Sequence, residues 1–278
     1  MPQKIILDHY TISYPEMTEL LDLIRHIHGF DFGSYTQASL KRRITRIMQL
    51  QHLTVFDLRT LLTNDAEYFE SFLIEVTVNV TEMFRDPEFY KSVKDNVLPY
   101  LKSYQRIKVW NAGCSTGEEL YSFAILMAEE HLYDRSFLYG TDINSDVLEI
   151  AKNGIYDLQK MKLYAENYVK TGASHTLSDY YTAKYDAASI SHSLKKNILF
   201  SVHNLASDTV FNEFQLISCR NVLIYFNEEL QKKVIDLFYK SLANFGFLCL
   251  GSKETLRDSE ADRFKVTDKK NNIYQKIK

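Results

Sequence analysis

Residues 109–119 read VWNAGCSTGEE, and the interpretation of the whole chain starts from this stretch. A hydrophobic strand runs into a turn of small residues, and a helix is predicted to begin at Glu118. Small side chains let a backbone approach a ligand closely, and a helix N-terminus presents unpaired N–H groups. The spacing of Gly113 and Gly117 matches neither the P-loop nor the dinucleotide fingerprint. The stretch therefore predicts a strand, a turn and a helix. The turn is either an ordinary connection between the two elements or a ligand site.

Asp142 favours the ligand site. It stands 25 positions after Gly117 (142 − 117), at the carboxyl end of the next predicted strand, residues 137–141. In open α/β sheets a carboxylate at this place reaches ribose hydroxyls, because ligands lie over the strand ends. The alternative is a helix N-cap, a role that Asn144 or Ser145 could also fill. Turn and carboxylate together predict a nucleoside ligand but do not choose between a dinucleotide and S-adenosylmethionine.

The elements around this stretch divide the chain in two. Residues 1–76 carry apolar residues at helical spacing and predict a small all-helical N-terminal domain. Residues 77–278 alternate strands with helices and finish in a hairpin, which predicts a mostly parallel, Rossmann-like α/β sheet. Residues 156–196 interrupt the alternation for too long to be an ordinary connection, so they are predicted to form an inserted subdomain with some β structure.

Composition limits the classes of function. The net charge is −3, whereas a general nucleic-acid binder usually carries a basic excess. No apolar run approaches the roughly 20 residues that span a bilayer, and the N-terminus lacks a signal-peptide core. The three cysteines form no CxxC pair, so no metal site is expected. We expect a cytoplasmic protein, monomeric, with no nucleic-acid partner and no insertion into a membrane.

Six blocks in collinear order resemble one family, the CheR-type chemoreceptor glutamate methyltransferases. The blocks are TVNVTEMFRDPEFY (77–90), WNAGCSTGEELY (110–121), GTDINSDVL (140–148), HNL (203–205), LISCRNVLIYF (216–226) and GSKE (251–254). The resemblance covers nearly the whole chain. It implies an S-adenosylmethionine methyltransferase domain that is preceded by a helical domain and carries a small β insertion.

The resemblance also implies a cofactor pocket. Its residues would be Asn79, Thr81, Arg85, Glu118, Asp142, Asn204, Leu205, Arg220 and Asn221. The first three would lie over the methionine end and the methyl-transfer region, Glu118 would touch the amino-acid part, and Asp142 would hold the ribose. Residues 204–205 would hold the adenine, and residues 220–221 would close the pocket after the fourth strand. Helix capping is the alternative role for Asn79 and Thr81.

By the same resemblance, Arg85 and Tyr225 are the candidate catalytic residues. A glutamate carboxylate has a reference pKa of about 4.3, so near neutral pH it is already a nucleophile and needs no general base. The site must instead supply alignment, removal of water and a partner for the carboxylate. The planar fork of arginine suits Arg85 to that role, and Tyr225 would face the transferred methyl group. The alternatives are that Arg85 pairs with Asp86 or Glu88 and that Tyr225 is a core residue.

A basic cluster on one predicted helix is the candidate substrate-binding surface. It consists of Lys41, Arg42, Arg43 and Arg46, and no acidic residue occurs between Asp31 and Asp57. The apolar face of this helix consists of Leu40, Ile44, Ile47 and Met48, so the basic residues are expected on the solvent side. Such runs are often plain solvated faces or phosphate contacts. Because the resemblance implies receptors with acidic methylation helices, the basic helix is expected to steer and orient that partner.

These features together predict methyl transfer from S-adenosylmethionine to glutamate side chains of chemotaxis receptors, which gives glutamate methyl esters and S-adenosylhomocysteine. Methylation of base amines is disfavoured, because SCRN (218–221) stands where such enzymes often carry an Asn/Asp-Pro-Pro-aromatic block. Two alternatives stay open. One is a cofactor-binding regulatory protein without turnover, and the other is a carboxyl methyltransferase that acts outside chemotaxis.

Overall fold

The computed structural model describes residues 10–77, 81–260 and 262–277. The chain forms two compact units. One comprises Met1–Asn79 and Tyr225–Gln231, and the other comprises Val80–Ile224 and Lys232–Lys278. Asn79, a residue of the expected cofactor pocket, lies outside the described residues.

Four helices lie within residues 10–77. They are α1 (Tyr14–His28), α2 (Gln37–Gln51), α3 (Val55–Asn64) and α4 (Ala66–Thr77). Capping boxes begin two of them, because Ser13 and Glu16, and likewise Thr54 and Asp57, each bond the other's backbone N–H group. One apolar stripe of each helix contributes to a shared core, which includes Met17, Leu20, Ile24, Leu40, Ile44, Met48, Leu58, Leu62, Phe72 and Val76.

A short segment from much later in the chain completes this helical unit. Tyr35 and Phe226 form an antiparallel β-bridge, and their rings meet edge to face with centroids 5.3 Å apart. The Thr36 N–H donates a hydrogen bond to the Tyr225 carbonyl at 2.9 Å. Tyr225 therefore has a fixed backbone position within the helical unit.

The rest of the chain alternates strands with helices. The strands are β1 (Ile107–Ala112), β2 (Ser136–Asp142), β3 (Ile155–Asp157), β4 (Tyr181–Lys184), β5 (Ala187–Ile190), β6 (Ile198–Val202), β7 (Phe214–Cys219), β8 (Leu242–Leu250), β9 (Phe264–Asp268) and β10 (Ile273–Lys276). The helices are α5 (Pro87–Asn96), α6 (Leu98–Leu101), α7 (Glu118–Glu129), α8 (Ser145–Asn153), α9 (Leu158–Lys170), α10 (His192–Lys195) and α11 (Glu228–Ser241).

Seven strands form one sheet in the order β6-β2-β1-β7-β8-β10-β9. The first five are parallel, and β10 runs antiparallel to both of its neighbours. Strand β7 is buried along its whole length, as expected of a parallel strand covered on both faces. Gly140 is required within β2, because a Cβ atom there would lie 2.6 Å from the Phe200 ring of β6. The carboxyl ends of β1, β2, β6 and β7 thus lie along one edge of the sheet.

Residues 155–190 supply a separate antiparallel sheet in the order β3-β5-β4. Helix α9 lies between β3 and β4 in the chain, and its Met161, Tyr164 and Tyr168 pack into the main core. The predicted fold class is confirmed: a mostly parallel sheet ends in an antiparallel hairpin, follows a helical region and carries a small separate sheet. The sequence interpretation did not include α9, because tyrosine and lysine dominate its stretch. No helix in the described ranges is long and apolar enough to cross a membrane.

Candidate functional site

The turn after β1 is held against the end of β2 by Asp142. One carboxylate oxygen of Asp142 accepts the Ser115 N–H at 2.9 Å, and the other accepts the Asn144 N–H at 3.1 Å. Ser115 adopts a left-handed backbone with φ of 50°. Asn144 is the N-cap of α8 and accepts the Asp146 N–H, so Asp142 is not needed for capping. Only 8% of Asp142 is exposed, and burial raises the pKa of its carboxyl group.

Glu118 is the first residue of α7 and is 2% exposed. Its carboxylate accepts the Thr116 hydroxyl at 2.6 Å and the Tyr164 hydroxyl at 3.4 Å. Burial raises the pKa of Glu118, while these two hydrogen bonds and the charge of Lys160 oppose the rise. Among the described residues, no basic side chain forms an ion pair with Glu118. A buried carboxylate without an ion pair is costly, so Glu118 is a candidate to contact a ligand.

Arg220 lies at the centre of a buried polar network. Its guanidinium forms ion pairs with Glu119 at 2.8 Å and with Asp86 at 2.7 Å, and it stacks 3.9 Å above the Phe89 ring. Glu119 also accepts the Ser218 hydroxyl at 2.6 Å. The network joins α7, the end of β7 and the segment before α5. Arg220 therefore holds three parts of the site together through its side chain.

Glu254 organises the loop that follows β7. Its buried carboxylate accepts the backbone N–H groups of Asn221 at 2.8 Å and of Gly251 at 2.6 Å. Asn221 has φ of 64°, a left-handed conformation that asparagine tolerates better than most residues. Gly251 is required beside it, because a Cβ atom there would lie 2.7 Å from the Asn221 nitrogen.

The segment before α5 carries Arg85 on a strained backbone. Phe84 and Asp86, the two neighbours of Arg85, both have left-handed φ angles, 53° and 58°. The Phe84 N–H donates to the Ser122 hydroxyl of α7 at 2.9 Å, which anchors the segment. Strained non-glycine residues persist where the surroundings hold them, and they cluster at functional sites. Thr81, at the start of this described segment, is half-buried.

Asn204 and Leu205 follow β6 in a tight turn. The Asn204 side-chain oxygen accepts the Ala206 N–H at 2.9 Å, and the Asn204 N–H donates to Asp208 at 2.8 Å. The turn continues directly from the strand end, because the His203 N–H donates to the Asp142 carbonyl at 3.0 Å. Leu205 is buried, whereas Asn204 is half-buried.

Arg43 departs from its sequence-based expectation. We expected the four basic residues of α2 on the solvent side, but Arg43 is 8% exposed. Its guanidinium donates to the Val76 carbonyl of α4 and stacks 4.2 Å from the Tyr225 ring centroid. The expectation was wrong for Arg43 because a long side chain at the border of an apolar stripe can bury its stem and pair its charge inside. Arg42 and Arg46 are exposed, and Lys41 is half-buried over the Tyr14 ring.

The structure thus brings several of the sequence-based candidates to one edge of the sheet. The turn, Glu118, Asp142, Asn204 and Arg220 follow neighbouring strands of the α/β unit. Tyr225, Lys41, Arg42, Arg43 and Arg46 belong to the helical unit. Sequence reasoning missed Glu119 and Glu254 as organisers of the site. Both lie within blocks that carried the resemblance, so an acidic residue inside such a block was the available signal.

A parallel sheet with a small-residue turn after β1 and a carboxylate at the end of β2 is suited to a nucleoside ligand, and the family model over residues 79–273 places the chain in the class of S-adenosylmethionine-dependent methyltransferases. Two family models match the chain within this class. Residues 79–273 match the model described as "CheR methyltransferase, SAM binding domain", and residues 15–77 match "CheR methyltransferase, all-alpha domain". The chain belongs to the CheR methyltransferase family.

Individual relatives agree with this assignment. The chain is 46% identical over 263 residues to Cher3 of Pseudomonas putida, and the aligned region covers 94% of this chain and 96% of that protein. It is 32% identical over 232 residues to the chemotaxis protein methyltransferase of Listeria monocytogenes, which covers 82% and 85%. Among solved structures, SAM-bound CalS10, an amino pentose methyltransferase from Micromonospora echinaspora, is 13% identical with a TM-score of 0.37 and covers 67% and 54%, too distant to support a conclusion.

The side chains at the strand ends fit S-adenosylmethionine chemically. An ionised carboxylate offers about four acceptor sites, so Asp142 retains acceptor capacity for ribose hydroxyls after binding backbone N–H groups on both oxygens. Glu118 offers a buried negative charge with no ion-pair partner among the described side chains, which suits the cofactor's ammonium group. Cys114, in the same turn, is buried, and burial raises the pKa of its thiol, so it is no nucleophile.

Proposed function

We propose that this protein transfers methyl groups from S-adenosylmethionine to glutamate side chains of chemotaxis receptors in the cytoplasm. The observation that carries the proposal is a pair of buried carboxylates in a CheR-family domain. Asp142 lies at the end of β2, and Glu118 begins the helix that follows the turn. The name of the Listeria monocytogenes relative, chemotaxis protein methyltransferase, supports the pathway. The glutamate substrate is the chemistry expected of the family.

In this proposal, different side chains of the chain bind different parts of the cofactor. Asp142 holds the ribose hydroxyls, and Glu118 holds the ammonium group of the methionine end. Asn204 and Leu205 form the adenine end, with the turn at 204–208 rigidly hydrogen-bonded. Thr81 is assigned to the methionine end, and the sequence resemblance alone assigns Asn79 to the same end. Arg220 acts through its ion pairs with Glu119 and Asp86, which fix the loop carrying Asn221.

The chemical step needs orientation more than proton transfer. When bound, S-adenosylmethionine supplies an electrophilic methyl group on its sulfonium sulfur. The substrate glutamate is ionised near neutral pH, so its carboxylate is already a nucleophile and the site needs no general base. Arg85 pairs with that carboxylate and orients it, and the constrained backbone at Phe84 and Asp86 aims the arginine before substrate arrives. The sequence resemblance alone assigns Tyr225 to the methyl-acceptor side of the reaction.

The exposed basic residues of α2 are proposed to recognise the receptor. Arg42 and Arg46 face solvent, and Lys41 is half-buried beside them. In this proposal, the methylation helices of the chemoreceptors are acidic. The attraction between these helices and the basic residues of α2 raises the rate of encounter and fixes the register of the partner. Arg43 has a different role, because its charge is engaged inside the helical unit.

The test is methyl transfer from labelled S-adenosylmethionine to the cytoplasmic fragment of a chemoreceptor from the same organism. Product is scored as methanol released by base, which reports carboxyl methyl esters. We expect base-labile label on the wild-type receptor fragment and none on a fragment whose acceptor glutamates are replaced by alanine. We also expect that Arg85→Ala loses transfer yet still binds S-adenosylhomocysteine.

Two outcomes would replace the proposal. Cofactor binding without transfer to any receptor fragment would favour a regulatory protein without turnover. Base-labile transfer to another protein or to a small carboxylic acid, with chemoreceptors unmodified, would favour a carboxyl methyltransferase outside chemotaxis.

A further inference from the structure

Two tyrosines from the inserted segment reach the turn at the edge of the main sheet. The Tyr156 hydroxyl of β3 donates to the Thr116 carbonyl at 2.7 Å. The Tyr164 hydroxyl of α9 donates to the Glu118 carboxylate at 3.4 Å. Both tyrosines are buried, Tyr164 to 1% exposure. The inserted segment is therefore part of the wall that supports the predicted methionine end of the site.

Helix α9 also reaches the segment that carries Arg85. The Asn167 side-chain amide donates to the Met83 carbonyl at 3.3 Å, two residues before Arg85 in the chain. Asn167 and Tyr164 lie on one face of α9, since residues three apart are neighbours on a helix surface. One helix face thus contacts both the Glu118 carboxylate and the backbone beside Arg85.

We infer that Tyr164 is a positioning residue that orients the Glu118 carboxylate toward the ammonium group of the cofactor. This inference rests on the proposed function, which assigns that group to Glu118. The Thr116 hydroxyl binds one Glu118 oxygen at 2.6 Å and the Tyr164 hydroxyl binds the other, so the plane of the carboxylate is fixed from both sides. Hydrogen bonds to the charged form also stabilise it against burial, which otherwise favours the neutral acid.

The test compares two ligands on the full-length protein by calorimetry. S-adenosylhomocysteine carries the ammonium group, whereas 5′-deoxy-5′-methylthioadenosine has the same adenosine and thioether but lacks the amino-acid end. Tyr164→Phe removes one hydroxyl and keeps the ring. We expect it to raise the Kd of S-adenosylhomocysteine about fivefold or more, the scale of a lost hydrogen bond to a charged group, and to change the Kd of methylthioadenosine less than about twofold.

Tyr168→Phe is the matched control. Tyr168 lies one turn further along α9 and is equally buried, but its hydroxyl donates to Glu129 instead of Glu118. We expect this variant to leave both dissociation constants within about twofold of wild type. Equal weakening of both ligands by Tyr164→Phe would reduce Tyr164 to a structural residue and overturn the inference. Unchanged affinity for both ligands would overturn it as well.

Glu118→Gln separates this inference from the proposed function. If that variant also weakens S-adenosylhomocysteine selectively, Glu118 serves the ammonium group as proposed, and the Tyr164→Phe result decides the inference alone. If Glu118→Gln weakens neither ligand selectively, the proposed assignment of Glu118 fails, and the inference fails with it.

Discussion

The guanidinium carbon of Arg43 lies 4.2 Å from the centroid of the Tyr225 ring. The same guanidinium donates to the Val76 carbonyl, so it ties α2, α4 and the segment that follows β7 within one unit. Burial lowers the pKa of Arg43, while Tyr225 opposes that shift. A residue expected to contact a partner therefore contacts its own chain and fixes the ring of a proposed catalytic tyrosine.

Replacing Arg43 should destabilise the helical unit. Arg43→Ala leaves the Val76 carbonyl without its donor and removes the stacking on Tyr225, so we expect a loss of about 2 kcal/mol in the free energy of unfolding. Arg42→Ala, on the same helix but exposed, should change it by less than about 0.5 kcal/mol. Urea denaturation followed by circular dichroism measures both. Equal stabilities for the two variants would contradict the contribution assigned to Arg43.

Neutralising the exposed pair on α2 should affect the receptor but not the cofactor. Because opposite charges accelerate encounter, we expect Arg42→Gln with Arg46→Gln to lower the initial rate of receptor methylation, and to lower it most at low ionic strength. The Kd of S-adenosylhomocysteine should stay at the wild-type value. Radiolabel transfer at several salt concentrations is the measurement, and an unchanged rate would reduce the basic face to a solvated surface.

Removing the Asp142 carboxylate should weaken cofactor binding. Asp142→Ala removes a charge-assisted acceptor for ribose, so we expect the binding free energy of S-adenosylhomocysteine to fall by at least about 1 kcal/mol. Asp146→Ala is the control, because Asp146 is exposed in the first turn of α8. Calorimetric titration of both variants gives the comparison. Wild-type affinity in Asp142→Ala would remove this residue from the pocket.

Glu118→Gln should stabilise the ligand-free protein at neutral pH and should weaken the binding of the cofactor. Burial raises the pKa of Glu118, so the folded protein favours the neutral acid. The stabilisation from this group is therefore fully present below the ordinary glutamate pKa, and it is lost as the pH rises through the raised pKa. Glutamine stays neutral, so we expect a gain of roughly 1 kcal/mol at pH 7.5 that shrinks as pH falls toward about 4.5. Thermal denaturation across this range measures the gain. A gain that grows on acidification would have the wrong sign.

Breaking the Arg220 network should be costly. Among the described residues, Glu119→Gln leaves the buried guanidinium of Arg220 with only the part-exposed Asp86 as a counter-ion, so we expect a loss of about 3 kcal/mol in unfolding free energy. Glu88→Gln, an exposed residue of α5, should cost less than about 0.5 kcal/mol. Chemical denaturation of the two variants decides between them. A mild Glu119→Gln variant would show that Asp86 alone suffices to pair Arg220.

The sequence predicted the elements whose patterns are local. The turn at 113–117 before the helix that begins at Glu118 and the strand end at Asp142 both occur as expected. Asn144 rather than Asp142 caps α8, which resolves an alternative that the sequence left open. These features follow from neighbouring residues, so sequence alone identifies them.

Contacts between residues that are far apart in the chain could not be predicted from the sequence pattern. Glu119 pairs with Arg220 across many intervening residues, and burial of Arg43 depends on a ring that arrives from Tyr225. A helical repeat shows which residues share a face, but it does not show which distant carbonyl or ring will meet the border of that face. The left-handed backbone at Phe84 was equally hidden, because bulky residues rarely adopt it, whereas Asp86 belongs to a residue type that tolerates it.

The bridge between Tyr35 and Phe226 has a consequence for synthesis of the chain. The helical unit is discontinuous in sequence, since Tyr225–Gln231 emerges from the ribosome only after strand β7 has been made. The helices can form early, but Tyr35 and Arg43 receive their aromatic partners late. A gene fragment that stops before codon 225 therefore encodes this unit without the residues that complete it.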